Sequence, residues 1–160
     1  MAAPAQAAPC AGASAEPGEV SAAVARDATL CVLNRERASH GLRPLRHERR
    51  LALAASRHAR DMVRRQYFAH EGHSGSDFVQ RVQRTGYTRG ASWRLGENLA
   101  WGEGTQASPT AIVAAWMRSP GHRRNVLGQF REVGIGLAVG APVTVRGAAE
   151  TYATEFGTRG

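Results

Sequence analysis

Apolar residues along this chain recur at one period in its first two thirds and at another near its end. From Val20 to near His40 they fall three and four positions apart, at Val24, Ala28, Cys31 and Val32, with Arg35 continuing the row. That spacing brings side chains onto one face of an α-helix. Gly41 and Pro44 mark its end. A second helix is predicted from about Glu48 to Gln66, where Leu51, Ala54, Ala55, His58, Ala59, Met62 and Val63 form an inward stripe. Arg57, Arg60, Arg64 and Arg65 take its wet side. Residues 67–76 are turn formers; Ser76 and Asp77 read as the cap of a short helix to about Arg84, closed by Gly86. Segment 95–102, bracketed by glycines and poorly alternating, reads as a short turn or helical segment. Ser108 and Pro109 open a helix through Ile112, Val113, Ala115 and Trp116 to Arg118, which Pro120 and Gly121 break. A brief turn at 125–127 precedes two strands, 132–139 and about 149–156, joined by a Gly/Pro/Arg loop. Helices first and a small antiparallel sheet late make an α+β pattern, with no internal repeat.

The opening segment does not fit either period. Residues 1–19 are small, Pro-rich and nearly devoid of large apolar groups, so they read as a flexible N-terminal arm beside a domain over 20–160. The arm lacks the basic and apolar regions of a signal peptide. Two cysteines occur, Cys10 and Cys31, neither with a metal-ligand neighbour in sequence. The preferred reading is one disulfide tying the arm to the first helix, the alternative being two unrelated thiols; a bridge implies an oxidising compartment and hence secretion.

At 160 residues and 42% apolar composition, a single domain can bury roughly two-thirds of the surface its unfolded chain exposes. No run of about 18 apolar residues exists, so no transmembrane segment is expected. The 21 basic residues, all arginine, outweigh 13 acids and give a net charge of +8. They are scattered, and no zinc-finger spacing, aromatic ribonucleoprotein sequence or phosphate loop accompanies them, so a nucleic-acid partner is not expected. Attraction to anionic cell-wall polymers or lipid headgroups is compatible with that charge.

Three short segments hold most of the chemically useful side chains: Phe68-Ala69-His70, Gly96-Glu97-Asn98, and Trp116 through His122. They stand in order with Leu33-Asn34-Arg35-Glu36-Arg37, Gly41-Leu42-Arg43-Pro44-Leu45, His58-Ala59-Arg60-Asp61-Met62, Gly86-Tyr87, Asn125-Val126-Leu127 and Phe130 to Gly136. Together, over about Ala28 to Gly157, these resemble the CAP superfamily of cysteine-rich secretory, antigen 5 and pathogenesis-related proteins, and its bacterial secreted SCP-like branch in particular. The resemblance implies a three-layer α-β-α sandwich with a short antiparallel sheet. It also implies a cleft lined by two histidines and an acid, which match His70, His122 and Glu97. Two neutral imidazoles and a carboxylate are a common ligand set for zinc or another divalent metal. The eukaryotic members carry a second glutamate three residues after the helix tryptophan; Ser119 stands there in this chain, one negative charge fewer.

The function so implied is that of a secreted bacterial protein, expected to be monomeric, whose cleft binds a divalent metal and an extracellular ligand, whether cell-wall polymer, lipid or protein. One alternative is a metal-assisted hydrolase of peptide or cell-wall material with Glu97 as general base. Another is a lipid-binding module around Phe68, Phe78 and Leu95. Other polar residues read as structural. His58 is expected to bond a backbone carbonyl in the core, and Asn98 to hold the backbone around Glu97. Glu71 and His73 are expected to face solvent. Ser119 with His122 lacks the strand-turn-helix elbow of a serine hydrolase. Glu132, at a strand start, has nothing to place it opposite Glu97 as a glycosidase acid. Trp116 reads as core, and Trp101 as a better ligand contact than Trp93.

Overall fold

The computed structural model describes residues 8–90 and 92–160. In chain order it contains α1 (Ala22–Ser39), β1 (Arg46–His47), α2 (Arg49–Arg65), α3 (Phe78–Arg84) and β2 (Trp93–Glu103). A 3-10 turn (Gly104–Ala107), α4 (Pro109–Arg118), α5 (Pro120–Val126), β3 (Glu132–Val139) and β4 (Ala149–Arg159) follow. The helices begin where side-chain oxygens replace missing backbone partners: Ser21, Glu48, Asp77 and Ser108 accept from Val24, Leu51, Gln80 and Ala111 N–H groups.

The sheet has the order β1-β3-β4-β2. β4 pairs antiparallel with both β2 and β3, while the two-residue β1 adds a parallel edge at Arg46–His47, so the sheet is mixed. One face carries α2, and Ala55, Ala59 and Met62 of that helix meet Leu99, Ala138 and Ala153 of the strands. Against the other face pack α1, α4 and α5, joining Leu33, Ile112, Trp116 and Val126 to Ile135, Tyr152 and Phe156. This is the three-layer α+β sandwich that the resemblance implies. Gly134 and Gly136 let α2 lie directly on β3: a Cβ at either would run into the backbone of Ala52 or Ser56.

Two sequence expectations are corrected. Segment 95–102 is no turn or helical piece; it lies inside β2, whose eleven residues pair with β4 from Trp93↔Arg159 to Glu103↔Ala149. Residues 96–99 are all buried, so the polar-apolar alternation of a half-exposed strand has nothing to select it there. The helix from Pro109 does end at Arg118 as expected, but Pro120 and Gly121 then open a further helix, α5, where the sequence predicts only a brief turn at 125–127. Proline forces Ser119 into an extended conformation (ψ 117°), which ends α4, and then serves as the first residue of the next helix, where its missing N–H costs nothing. The 125–127 turn is therefore the end of α5.

Cys10 and Cys31 form a disulfide. Residues 8–19 lie as a series of turns against the α1–α4 layer, where Thr110 N–H also donates to the Ala13 carbonyl at 2.9 Å. The rest of the expected arm, residues 1–7, falls outside the described residues. Arg37, 2% exposed, ties the two ends of that layer together. Its guanidinium donates to the carbonyls of Val126 (2.7 Å) and Gly128 (2.8 Å), just where α5 runs out of internal partners.

Candidate functional site

β2 is an edge strand, and the candidate site is built over that edge from both helical layers. Glu97 lies on the α2 side of the strand, at 4% exposure. Its Oε1 accepts from His70 Nδ1 at 2.7 Å and its Oε2 from Arg81 Nη2 at 2.6 Å. Arg81 comes from α3, started by a reciprocal Asp77–Gln80 capping box. The same guanidinium donates through Nη1 to the carbonyls of His70 and Ser76, at 2.8 and 2.9 Å. One arginine thus holds both the carboxylate and the loop that carries His70.

An ionised carboxylate only accepts, so His70 donates from Nδ1. Its Nε2 has no partner among the described residues, and more than half of the side chain is open to solvent. Burial opposes the Glu97 charge. The His70 hydrogen bond and the Arg81 charge outweigh burial and hold Glu97 below the ordinary carboxyl range.

His122 approaches from the other layer, near the start of α5. Asn98, next to Glu97 and therefore on the opposite face of β2, donates to the His122 carbonyl at 3.0 Å. Asn125 donates to Asn98 Oδ1 at 2.9 Å and to the Glu97 carbonyl at 3.1 Å. Gly96 leaves the space that Asn125 fills, since a Cβ there would stand 2.8 Å from its Oδ1. The expected hold on the backbone around Glu97 comes from Asn125 rather than from Asn98, whose side chain instead fixes α5 through the His122 carbonyl. Partial burial, and secondarily the charge of His70, push His122 toward its neutral form.

Sequence reasoning missed Arg81, Asn125 and Glu155. Glu155 sits directly across the strand pair from Glu97 and is fully buried, with neither carboxyl oxygen hydrogen-bonded. Burial first, then the Glu97 charge, raise its pKa well above the ordinary value. Of two facing carboxyls, the one with the guanidinium and imidazole keeps its charge and the other keeps its proton. Only the β2–β4 register brings them together, and no local signal in the sequence carries that register.

The remaining candidates are placed as follows. His58 is buried and bonds the Ala69 carbonyl through Nε2 at 2.9 Å. Glu132 is held by the Tyr87 hydroxyl and Arg159, apart from Glu97. Trp116 is 1% exposed and donates to the Leu99 carbonyl. Glu71 and His73 are exposed, and Leu95 packs on the Leu51–Tyr87 cluster while Phe68 is exposed. Trp101 is half-buried and Trp93 exposed.

His70, Glu97 and His122 do not meet as a metal-ligand set. Among the described residues no three His, Cys, Asp or Glu side chains are placed to share an ion. The Glu97 oxygens are both engaged, one by a guanidinium whose positive charge opposes a cation there. The carboxylate instead orients an imidazole. For the same reason Glu97 is poorly disposed as a general base, which needs a free oxygen within reach of a substrate proton.

The three-layer fold defines a class, and the comparisons agree with it. The model of the cysteine-rich secretory protein (CAP) family matches residues 30–154, and the chain belongs to that family. The YkwD protein of Bacillus subtilis strain 168 is 37% identical over 106 residues, 64% of this chain. The chain spans only 38% of that relative's length. An extracellular SCP-domain protein of Bacillus anthracis strain Ames superposes with a TM-score of 0.65 at 25% identity, covering 87% of this chain and 44% of the other. An outer surface protein of Borrelia burgdorferi shares the fold, with a TM-score of 0.70, 19% identity and coverage of 90% of this chain and 99% of the other.

Proposed function

We propose that this CAP domain works outside the cell membrane and recognises a cell-wall polymer through the cleft between His70 and His122. The observation that carries the reading is the Arg81–Glu97–His70 chain. A buried, doubly held carboxylate fixes the imidazole through Nδ1 and leaves Nε2 accessible at a defined position. Such a ring recognises a hydroxyl or amide without reorganising, which is what a binding site gains from an orienting partner. His122, favoured neutral, supplies a second imidazole from the opposite layer. The disulfide and the extracellular or outer-surface relatives support secretion. The net charge of +8 supports attraction to anionic wall polymers.

The test is co-sedimentation with purified, insoluble Gram-positive cell walls, comparing wild type with His70→Ala and His122→Ala, singly and together. Wild type is expected in the pellet, with retention reduced about tenfold in the double variant, a difference of about 1.4 kcal/mol. Equal retention of wild type and double variant would remove the cleft from wall binding. Calorimetric titration with zinc belongs in the same series. A stoichiometric site lost in the double variant would make the cleft a metal centre after all and return the reading to the ligand set implied by the sequence.

A further inference from the structure

A concavity of about 740 Å³ lies where β2 and β3 begin and β4 ends, and none of its lining residues belongs to the histidine cleft. Arg37, Arg43, Arg94, Arg131 and Arg159 line it, and no aspartate or glutamate does. A smaller concavity, about 310 Å³, adjoins it through the shared Arg131, Arg159 and Gly160 and adds Arg46 and Glu132. Most of this positive charge is uncommitted. Arg37 is spent on backbone carbonyls and Arg159 on Glu132, whose other partner is the Tyr87 hydroxyl. Arg43, Arg46, Arg94 and Arg131 are exposed, and the guanidinium of none makes a hydrogen bond or ion pair with another described residue.

The fold brings these four together from separate elements. Arg94 pairs with Thr158 on one side of β4, and Arg131 N–H bonds the Gly157 carbonyl on the other at 3.0 Å. The two therefore flank one stretch of that strand, their backbones about 10 Å apart across the sheet. Arg46 N–H bonds the Arg131 carbonyl at 2.9 Å, which sets it one strand further on. Arg37, almost wholly buried, holds the loops behind them, donating to the Arg43 carbonyl at 2.9 Å and to that of Gly128 at 2.8 Å. The result is a basic track over the end of the sheet, its backbone fixed and its charge unneutralised. Guanidinium groups favour oxyanions, which they grip with paired N–H donors. A single phosphate set between Arg94 and Arg131 leaves Arg43 and Arg46 unmatched. A flexible chain with a phosphate in every repeat of its own backbone matches all four and follows their uneven spacing, which a stiff glycan with carboxylates at fixed intervals does not. We infer that this track binds a phosphodiester polymer built on a polyol, successive phosphates being taken by Arg43, Arg94, Arg131 and Arg46. The inference rests on the extracellular placement proposed above, and not on the histidine cleft.

The probe is a short synthetic glycerol phosphate oligomer, titrated calorimetrically against the whole chain at low salt. Inorganic phosphate, a glutamate oligomer and a thymidine oligonucleotide of equal charge are the comparisons. The glycerol phosphate oligomer is expected to bind more tightly than any of the three, and less tightly as salt is raised. The triple variant Arg43→Gln, Arg94→Gln, Arg131→Gln should bind about tenfold more weakly. Its melting temperature without ligand should stay at or above that of wild type, because mutual repulsion is relieved. Arg94→Gln alone should weaken binding in the same direction. The control variant Arg57→Gln, Arg60→Gln, Arg84→Gln removes the same charge from exposed positions on α2 and α3 and should bind as wild type does. So should the His70→Ala, His122→Ala double variant, which separates this site from the cleft. An equal loss in both arginine variants would reduce the effect to net charge and overturn the inference, as would undiminished binding by the first. Any of the three comparison ligands binding as tightly as the glycerol phosphate oligomer would overturn it too.

Discussion

Glu155 is the residue whose chemistry departs furthest from its sequence context. A fully buried carboxyl facing another carboxyl is tolerated only because it stays protonated while Arg81 and His70 keep Glu97 ionised. The consequence for stability has a definite sign. A carboxyl whose folded pKa is raised binds more protons in the native state than in the unfolded chain, so its contribution is fully present below the ordinary value of 4.5 and falls as pH rises beyond it. Glu97, Asp61 and Glu132, all lowered, give the opposite slope as pH falls. Isolating Glu155 therefore requires a difference measurement. Melting temperatures of wild type and Glu155→Gln between about pH 4 and 8 should diverge, with the variant gaining on wild type as pH increases. Parallel curves would mean that Glu155 ionises in the fold without penalty. His70, Glu97 and His122 are named as site residues from the sequence alone through the family pattern. Their roles are not, because the roles depend on Arg81 and Glu155, sixteen positions before Glu97 and fifty-eight after it. A guanidinium on a short helix and a glutamate in a late strand carry no local mark of either part.

At the scale of elements, what governs the site is how firmly short pieces are started and placed. α3 has seven residues, too few to persist by its own hydrogen bonds. Its capping box supplies two of the missing partnerships, Asp77 accepting from Gln80 N–H and the Gln80 side chain accepting from Asp77 N–H. Asp77→Ala should cost about 1 kcal/mol in denaturant unfolding. It should also broaden the NMR signals of His70, since Arg81 on the same helix anchors that loop. Unchanged His70 signals would show that Arg81 is held by Glu97 and the His70 carbonyl without help from the cap. The helices read well from sequence because their exposed faces are polar and their stripes regular, α2 above all. The capping residues Ser76–Asp77 and Ser108–Pro109 also read correctly. Elements that lie between two layers, or that a proline begins, read badly. β2 shows burial on both faces at 96–99, so its periodicity is erased. α5 follows α4 across one extended residue, so its proline looks like a stop.

Over the whole molecule the two helical layers have different means of support. The α2 layer rests on close backbone approach at Gly134 and Gly136 and on a small-residue core of Ala55, Ala59 and Ala153. The α1–α4–α5 layer has the larger side chains, the Arg37 ties to the end of α5, and the disulfide. The bridge joins positions 21 apart, and loop closure of that length confers about 3 kcal/mol in the chain-entropy account. For a chain of this size, at about 2 to 4 °C per kcal/mol, reduction should lower the melting temperature by roughly 6 to 12 °C. The 8–19 segment is also tied to this layer by the Thr110–Ala13 backbone bond and by the Arg35 guanidinium on the Ala8 carbonyl. Neither is a covalent constraint on the unfolded chain, so neither can replace the bridge. The His70–Glu97–Arg81 chain is assembled on the α2 side of the sheet, away from Cys10 and Cys31. Reduced protein below its new melting temperature should therefore keep wild-type retention on cell walls while its amides near α1 exchange faster. A melting temperature unchanged by reduction would mean that the segment is held by packing alone. Loss of wall retention on reduction would mean that the α1–α4–α5 layer, through α5 and His122, sets the width of the cleft, which the Asn98 and Asn125 contacts across β2 make mechanically direct.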